Sequence, residues 1–428
     1  MTRDTSTVSL SRRGSNGLIA YFSSARDLDR TVRLFLVATA FRGLVIAALQ
    51  TVFNLYLYSL GYDARFIGLI NGINATATLV ASLLLGFLAD RWGRRPILLA
   101  GGLLYPLCIL GLAFARSRPA LVSLYFLFGA CASAYWVAGV PLLVANTEER
   151  QRVQVFSLNS FLLWGLGPLG ALAGGQVVEV AARVLRVSAS SAGALRVGVF
   201  FMAALAVFGT IPYPFLHERP RPAQHTLAQV PLRDVVRLFS RLLVPDVILT
   251  FGSGAILTFI QLYFHLRFGL DPGTIGIVMA VGGVMSGAGT LSVPLLARRW
   301  GNLRTTVRLQ WTLVPLMMAL AFAMQLVVAV PAYWLMLTLR SMFDPVYTAF
   351  AQERVPETHR ARLSGLYSAT YSIGYSLGPA ASGQLQHTGG FTPAFLLGTA
   401  SYFLGATLLY RFFGRTGAQG PAKRVEVA

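Results

Sequence analysis

Three charged side chains lie inside long apolar segments of the sequence. Arg42 interrupts the first apolar run, and Arg340 and Asp344 interrupt a later one. Arg340 and Asp344 are four residues apart, which makes them neighbours on one face of a helix. A carboxylate can take up and release a proton, and a guanidinium can bind an anionic group. The spacing therefore indicates either structural ion pairing or a site for protons or an anionic substrate, and the sequence leaves both open.

Polar amides and aromatic residues in other apolar runs extend this set. Asn54 and Gln261 are amides whose groups could hydrogen-bond either a ligand or a neighbouring helix. Aromatic side chains beside charged groups suit a small molecule that has both apolar and polar parts. The candidate substrate and coupling residues are Arg42, Asn54, Trp136, Gln261, Tyr263, Arg340, Asp344, Tyr347 and Tyr371.

The sequence shows no pattern typical of an enzyme or a metal site. Its five histidines are scattered, and Cys108 and Cys131 stand singly inside apolar runs without metal-ligand or disulfide spacing. The glycine-rich phosphate loop of ATP-driven pumps is absent from the sequence. We therefore predict no catalytic activity, no metal and no cofactor.

The composition is that of a membrane protein. Of the 428 residues, 55% are hydrophobic and 12% are charged, about half of the 25% charge typical of soluble domains. Apolar runs of roughly 20 residues, enough to cross a bilayer as a helix, recur along the chain. We predict twelve transmembrane helices, at 34–58, 66–89, 96–115, 119–145, 155–178, 197–216, 244–266, 273–297, 305–325, 331–351, 363–385 and 392–413.

The 36 basic residues are unevenly distributed between the two sides of these helices. Twenty-seven fall in the two tails and in the loops on one side, seven fall on the other side, and two lie within helices. Because Lys and Arg accumulate in cytoplasmic loops, both termini are predicted to be cytoplasmic, in the plasma (inner) membrane. The net charge of +20 then reflects topology and contact with the lipid bilayer, and not nucleic-acid binding. Residues 1–30 lack the apolar core of a cleaved signal peptide.

The second half of the chain repeats the first. Residues 89–93 (ADRWG) are echoed by residues 297–301 (ARRWG), 208 positions later. Residues 54–56 (NLY) are echoed by residues 261–263 (QLY), at an offset of 207. A near-constant offset predicts two copies of one six-helix unit in parallel orientation.

A short charged segment, GFLADRWGRR at residues 86–95, separates the second and third predicted helices. Its glycines allow a tight turn, and its acid can pair with an arginine or cap a helix. The pattern resembles the loop at this position in the major facilitator superfamily. The predicted cytoplasmic gate consists of Gly86, Asp90, Arg91, Gly93, Arg94 and Arg95.

The resemblance covers about residues 34–413 and implies twelve transmembrane helices in two six-helix bundles that work by alternating access. It implies that Asp90 helps to lock the cytoplasmic side when the cavity faces outward, and the second copy has Arg298 in place of that acid. It also implies that the first, fourth, seventh and tenth helices line the cavity. The fourth helix lacks the arginine and nearby acid that proton-coupled exporters of the family often carry.

These features together predict an all-α membrane protein with defined segments. The expected boundaries are a tail at 1–33, bundles at 34–216 and 244–413, a linker at 217–243 with an amphipathic patch on the membrane surface, and a tail at 414–428. We expect a monomeric secondary transporter that exports an amphipathic or anionic small molecule in exchange for protons. Uptake of an organic anion and a non-transporting receptor or scaffold are the alternatives.

Overall fold

The computed structural model describes residues 28–148, 151–217, 232–353 and 360–414, without the side chains of residues 90, 153, 232–239, 352, 353, 360–362, 364 and 365. All regular secondary structure in these ranges is helical. Counting helices that continue through a π-turn or a short break as one, we number them α1–α12. They are α1 Arg30–Ser59, α2 Ala64–Trp92, α3 Arg94–Phe114, α4 Arg118–Ala145, α5 Arg152–Leu185, α6 Ala192–Thr210, α7 Leu232–Phe268, α8 Pro272–Trp300, α9 Asn302–Phe322, α10 Leu326–Glu353, α11 Arg360–Gly389 and α12 Phe391–Phe413.

Each predicted transmembrane segment coincides with one of these helices. Ten of them are long and apolar enough to cross a membrane by length and composition. The other two are α9, which carries Arg304, Arg308 and Gln310, and α11, which is rich in Ser and Tyr. The α7 helix begins at Leu232 and not at 244, so the predicted amphipathic patch is continuous with α7; its side chains up to residue 239 lie outside the described residues.

The helices form two six-helix bundles. In the first bundle, α1 packs on α5 and α6, and α4 packs on α2 and α3. In the second bundle, α7 packs on α11 and α12, and α10 packs on α8 and α9. The bundles meet along two seams, α2 against α11 and α5 against α8. These seams are the places where the two halves can move relative to each other.

One hydrogen bond is repeated in both bundles and supports the duplication. The hydroxyl of Tyr56 donates to the carbonyl of Ala113, and that of Tyr263 donates to the carbonyl of Leu320. In both cases the partner lies 57 residues further along the chain. The turns after α2 and α8 also match, since both use a glycine with positive φ, Gly93 at 90° and Gly301 at 76°. Only glycine adopts this conformation without a steric penalty.

The two ends of the bundles differ in charge. We call the end that carries the α2–α3 turn the basic face, and the end that carries the α1–α2 turn the opposite face. Both seams are tight toward the opposite face. A Cβ added at Gly68 would lie 2.2 Å from the carbonyl oxygen of Pro379, and one at Gly175 would lie 2.5 Å from that of Pro272. Glycine is therefore required at these crossings.

Both seams separate toward the basic face. Gly86 lies 18 residues after Gly68, which is five helical turns and hence the same side of α2, yet a Cβ there would meet nothing within 4 Å. On α8, Gly276, Gly283 and Gly287 share one side. A Cβ on Gly276 or Gly283 would touch α5, whereas one on Gly287 would meet nothing within 4 Å. The bundles are thus closed at the opposite face and apart at the basic face.

Candidate functional site

The predicted ion pair in α10 is formed. Arg340 Nη1 donates to Asp344 Oδ1 at 2.8 Å, and Arg340 Nε donates to Ser253 Oγ of α7 at 3.2 Å. The hydroxyl of Tyr402 on α12 lies 2.5 Å from that Ser253 oxygen. The arginine is therefore held by neighbours on its own helix and on α7.

The two members of this pair differ in exposure. The side chain of Arg340 is 10% exposed, whereas that of Asp344 is 52% exposed. Asp344 lies nine residues before the end of α10, roughly 13 Å along the helix axis. A half-exposed carboxylate at this depth is costly against lipid. We infer that Asp344 faces the gap between the bundles, where water can reach it.

An acid that the sequence analysis missed lies close to this pair. Asp246 of α7 is fully buried. Its Oδ2 accepts a 2.6 Å hydrogen bond from Thr370 of α11, and its Oδ1 has no partner among the described residues. Arg340 and Asp344 are near enough to act on it electrostatically. The signal for Asp246 was present, a lone acid just inside the predicted start of the helix at 244–266, but the sequence analysis singled out only Asp344 as an acid within the helices.

The repeat places a polar cluster without an acid at the corresponding position of the first bundle. Thr39 corresponds to Asp246 at the offset of 207. Its hydroxyl donates to Asn159 Oδ1 at 3.1 Å, and the Tyr135 hydroxyl donates to the same oxygen at 3.1 Å. Both bundles therefore bury a polar cluster in the same place. Only the cluster in the second bundle contains a carboxylate, which can bind and release a proton.

Arg42 is separate from the pair in α10. Its guanidinium lies over the rings of Tyr135 at 4.5 Å and Tyr105 at 5.2 Å, and Nη2 donates to the carbonyl of Ala132 at 2.8 Å. All of these contacts are made within the first bundle. The contacts of Arg340 are made within the second bundle, so the three predicted charges do not form one cluster.

The two predicted amides lie in buried positions. Asn54 is 7% exposed, and its Nδ2 donates to the carbonyl of Thr258 at 2.5 Å, which links α1 to α7 across the two bundles. Asn71 Nδ2 donates to Asn54 Oδ1 at 3.0 Å. Gln261 is 3% exposed and its Oε1 has no partner among the described residues. Asn54 thus holds the bundles together in this conformation.

The predicted aromatic residues divide into buried and exposed ones. Tyr263 and Tyr347 are fully buried, and their hydroxyls donate to the carbonyls of Leu320 and Leu242. Neither side chain is accessible to a ligand in this conformation. Trp136 and Tyr371 are exposed, and Tyr371 stacks on the ring of Tyr375 at 4.5 Å. Tyr371 and Tyr375 are near enough to Arg340 to interact with it electrostatically.

The predicted gate segment forms the turn between α2 and α3. Arg94 Nη1 donates to the carbonyl of Pro141 at 2.9 Å, and Arg95 Nη2 donates to that of Pro214 at 2.8 Å, both within the first bundle. Gly93 ends α2, and Arg91 is in the last turn of that helix. The side chain of Asp90 lies outside the described residues.

Polar contacts connect the bundles at the opposite face. His387 Nδ1 of α11 lies 3.4 Å from Asp63 Oδ2, at the start of α2. The backbone N–H of Gly273, in the first turn of α8, donates to Glu179 Oε1 of α5 at 3.4 Å. A helix N-terminus favours a carboxylate. We call these two contacts the opposite-face latch.

The family model of the Major Facilitator Superfamily matches residues 35–341 and 310–427. The chain belongs to the Major Facilitator Superfamily. This family consists of membrane transporters, so the protein is an integral membrane transporter. The two six-helix bundles of the structure agree with the architecture that the resemblance to this family implied.

Several curated multidrug resistance proteins are similar to parts of this superfamily chain. Multidrug resistance protein MdtH of Aeromonas hydrophila is 28% identical over 41% of this chain and 42% of the relative. Multidrug resistance protein MdtG of Rahnella sp. is 28% identical over 47% of each chain. The matches thus span less than half the length of these relatives. Quinolone resistance protein NorA of Staphylococcus aureus is 22% identical over 80% of this chain and 85% of the relative.

Solved structures of superfamily transporters share the fold along almost the whole chain. A bacterial homologue of the human lysosomal transporter Spinster, in an inward-facing and occupied conformation, has a TM-score of 0.77 at 13% identity and covers 94% of this chain and 99% of its own. The nucleoside transporter NupG (D323A mutant) has a TM-score of 0.72 at 16% identity, with coverage of 90% and 100%. At these identities the likeness concerns the fold.

Proposed function

We propose that this transporter exports amphipathic small molecules across the plasma (inner) membrane in exchange for protons, by alternating access. The observation that carries the proposal is the Arg340–Asp344 pair, a 2.8 Å contact between a buried arginine and a half-exposed acid inside a transmembrane helix. Charged groups inside the membrane are costly and typically mark ion or substrate paths. The names of the multidrug and quinolone resistance relatives support export.

The pair and Asp246 together form a proton-dependent switch. Protonation of Asp344 removes its charge and weakens its contact with Arg340. Arg340 then has Asp246 as its other acidic neighbour. Ser253 connects Arg340 to α7, and Thr370 connects Asp246 to α11. If Arg340 exchanges Asp344 for Asp246, the packing of α10 against α7 and α11 therefore changes. Proton binding can in this way favour one conformation of the bundles.

The charge balance favours an amphipathic substrate over an anionic one. The sequence alone counted two arginines against one acid inside the helices, which implied a positive site. Asp246 makes the count two against two, and the second bundle holds two acids for Arg340. The exposed Tyr371 and Trp136 offer aromatic surface. A compound with an aromatic body and a polar group fits these features.

The basic face is proposed to be cytoplasmic because it carries most of the arginines. The gap between the bundles then opens to the cytoplasm, which is the side from which an exporter loads its substrate. One bundle pair is sufficient for this cycle, so we propose a monomer.

Organic-anion uptake is a second candidate. It is favoured by Arg42, whose guanidinium has no carboxylate partner among the described residues. A transport assay separates the two functions.

The test uses purified protein in liposomes with an imposed pH gradient, probed with a fluorescent lipophilic cation and a fluorescent organic anion. We expect the cation to accumulate uphill, driven by the gradient. Asp344→Asn should abolish the proton-driven accumulation while leaving energy-independent substrate exchange. The matched control is Asp271→Asn, which changes an exposed acid at the opposite face. Normal pH-dependent accumulation by Asp344→Asn would refute the coupling role. Accumulation of the anion alone would favour uptake, and no flux of either probe would refute both proposals.

A further inference from the structure

The first bundle contains a small, partly open cavity beside Arg42. It lies between α1, α3, α4 and the end of α6, away from both seams, and is lined by Ala38, Arg42, Val45, Leu98, Gly101, Gly102, Tyr105, Cys131, Ala134, Tyr135, Ala206, Gly209, Thr210 and Tyr213. Its volume is about 20 Å³. A cavity of this size holds one water molecule or one monatomic anion. It is too small for the proposed transport substrate.

The lining contains an arginine and three tyrosines, and it contains no carboxylate. Arg42 has no carboxylate partner among the described residues, and its Nε is buried without any partner there. Tyr105 and Tyr213 line the cavity, and both are close enough to Arg42 to interact with it electrostatically. Neither hydroxyl has a protein acceptor within the described part of the chain. One positive charge and two free O–H donors therefore face a common space.

The arginine is not required to pack this part of the fold. At the offset of 207 its counterpart in the second bundle is Leu249, and the counterpart of Tyr105, counted from the starts of α3 and α9, is Leu313. Both leucines are buried. In the second bundle the equivalent positions are thus filled by two apolar side chains. The fold therefore packs there without a charge, and the charge of Arg42 is specific to the first bundle.

A positive charge deep in a transmembrane bundle is costly without a counter-charge. The two tyrosine rings and the carbonyl of Ala132 offset part of this cost, but they carry no negative charge. We propose that the cavity binds chloride, held by Arg42 and by the hydroxyls of Tyr105 and Tyr213. The ion neutralises the guanidinium and ties α1, α3 and the turn after α6 together.

Chloride binding to the folded protein should raise its apparent stability. The experiment measures thermal unfolding of the purified full-length protein in sodium chloride and in sodium gluconate of equal ionic strength. We expect a saturable rise in Tm with chloride, and with bromide, but not with gluconate. Arg42→Gln should abolish this rise. Arg308→Gln removes an arginine that stacks on Trp300 at 4.7 Å, outside the cavity, and should retain it.

A second variant keeps the test decisive if Arg42→Gln does not fold. Tyr213→Phe keeps the ring that covers Gly102 and removes only the hydroxyl. It should raise the half-saturating chloride concentration by about two- to tenfold, as expected for the loss of one hydrogen bond. The proposal is overturned if the wild type shows no halide-specific rise, which would mean that water fills the cavity. It is equally overturned if Arg42→Gln keeps the rise, or if Tyr213→Phe leaves the chloride dependence unchanged.

Discussion

The glycine crossing between α5 and α8 provides a direct test of alternating access. Gly276→Ala adds one methyl group to the side of α8 that faces α5. In the present conformation this methyl would lie 2.8 Å from the carbonyl oxygen of Ala171 and 3.2 Å from the Cα of Gly175. Both are backbone atoms, so the helices themselves must move apart to accommodate it.

The size of the effect follows from the contact. Overpacking by one methyl group in a tight interface costs about 1–3 kcal/mol. Because the clash exists only when the seam is closed at the opposite face, the full cost falls on this conformation. A cost of this size changes the ratio of two conformations about 5- to 150-fold. We expect the opposite face to open.

Gly287→Ala is the matched control. Gly287 lies on the same side of the same helix, in the part of the seam that is already open, and an added Cβ meets nothing within 4 Å. Both substitutions change helix propensity equally, by about 1 kcal/mol. Any difference between the two variants therefore comes from the seam.

Electron–electron distance measurements between spin labels report the opening. Ser188→Cys and Gln325→Cys place one label on each bundle in exposed loops of the opposite face, in a background without Cys108 and Cys131. The Gly276→Ala protein should show a longer distance population that is absent from the wild type and from Gly287→Ala. Identical distance distributions in the two glycine variants would refute the closed-seam reasoning.

Three further predictions test other parts of the structure. Tyr56→Phe and Tyr263→Phe each remove one copy of the repeated hydrogen bond and should lower stability by a similar amount, about 1 kcal/mol, in thermal unfolding; clearly unequal losses would contradict structural equivalence. His387→Gln removes the partly exposed contact of the opposite-face latch with Asp63, worth about 0.2–1 kcal/mol, and should shift the same spin-label distribution less than about fivefold. Asp90→Asn is expected to move the transporter away from its outward-open state, measured by labels on the basic face, whereas Arg298→Gln should have little effect; equal shifts would argue against an asymmetric gate.

Much of the architecture could be predicted without coordinates. The length of the apolar runs predicts the twelve helices, because a helix must satisfy its own backbone hydrogen bonds in lipid. The offset between residues 89–93 and 297–301 predicts the two bundles. The spacing of Arg340 and Asp344 predicts their contact, since residues four apart on a helix are neighbours. All of these are properties of one helix or of the linear repeat.

The partners of each side chain across helices required the tertiary structure. Arg42 and Arg340 lie in comparable apolar runs, yet one stacks on tyrosines of the first bundle and the other binds an acid of the second. Tyr263, Tyr347 and Tyr371 were predicted as site residues on the same grounds, as tyrosines in apolar runs. Of these three, only Tyr371 is exposed. The rotation of a helix about its axis decides which of its side chains face a neighbouring helix and which are exposed. No local sequence pattern specifies that rotation.

The sequence by itself determined the class of the protein, its helices, its duplication and the pair in α10. The tertiary structure decided that Asp246 is buried beside Thr370, that the first bundle has a cavity at Arg42, and that the seams are closed at only one end. The physical reason is the distance along the sequence over which each interaction acts. Membrane insertion and helix periodicity act within about 20 residues. Burial, charge pairing and gating instead depend on helices that are distant in the sequence and meet only when the bundles assemble.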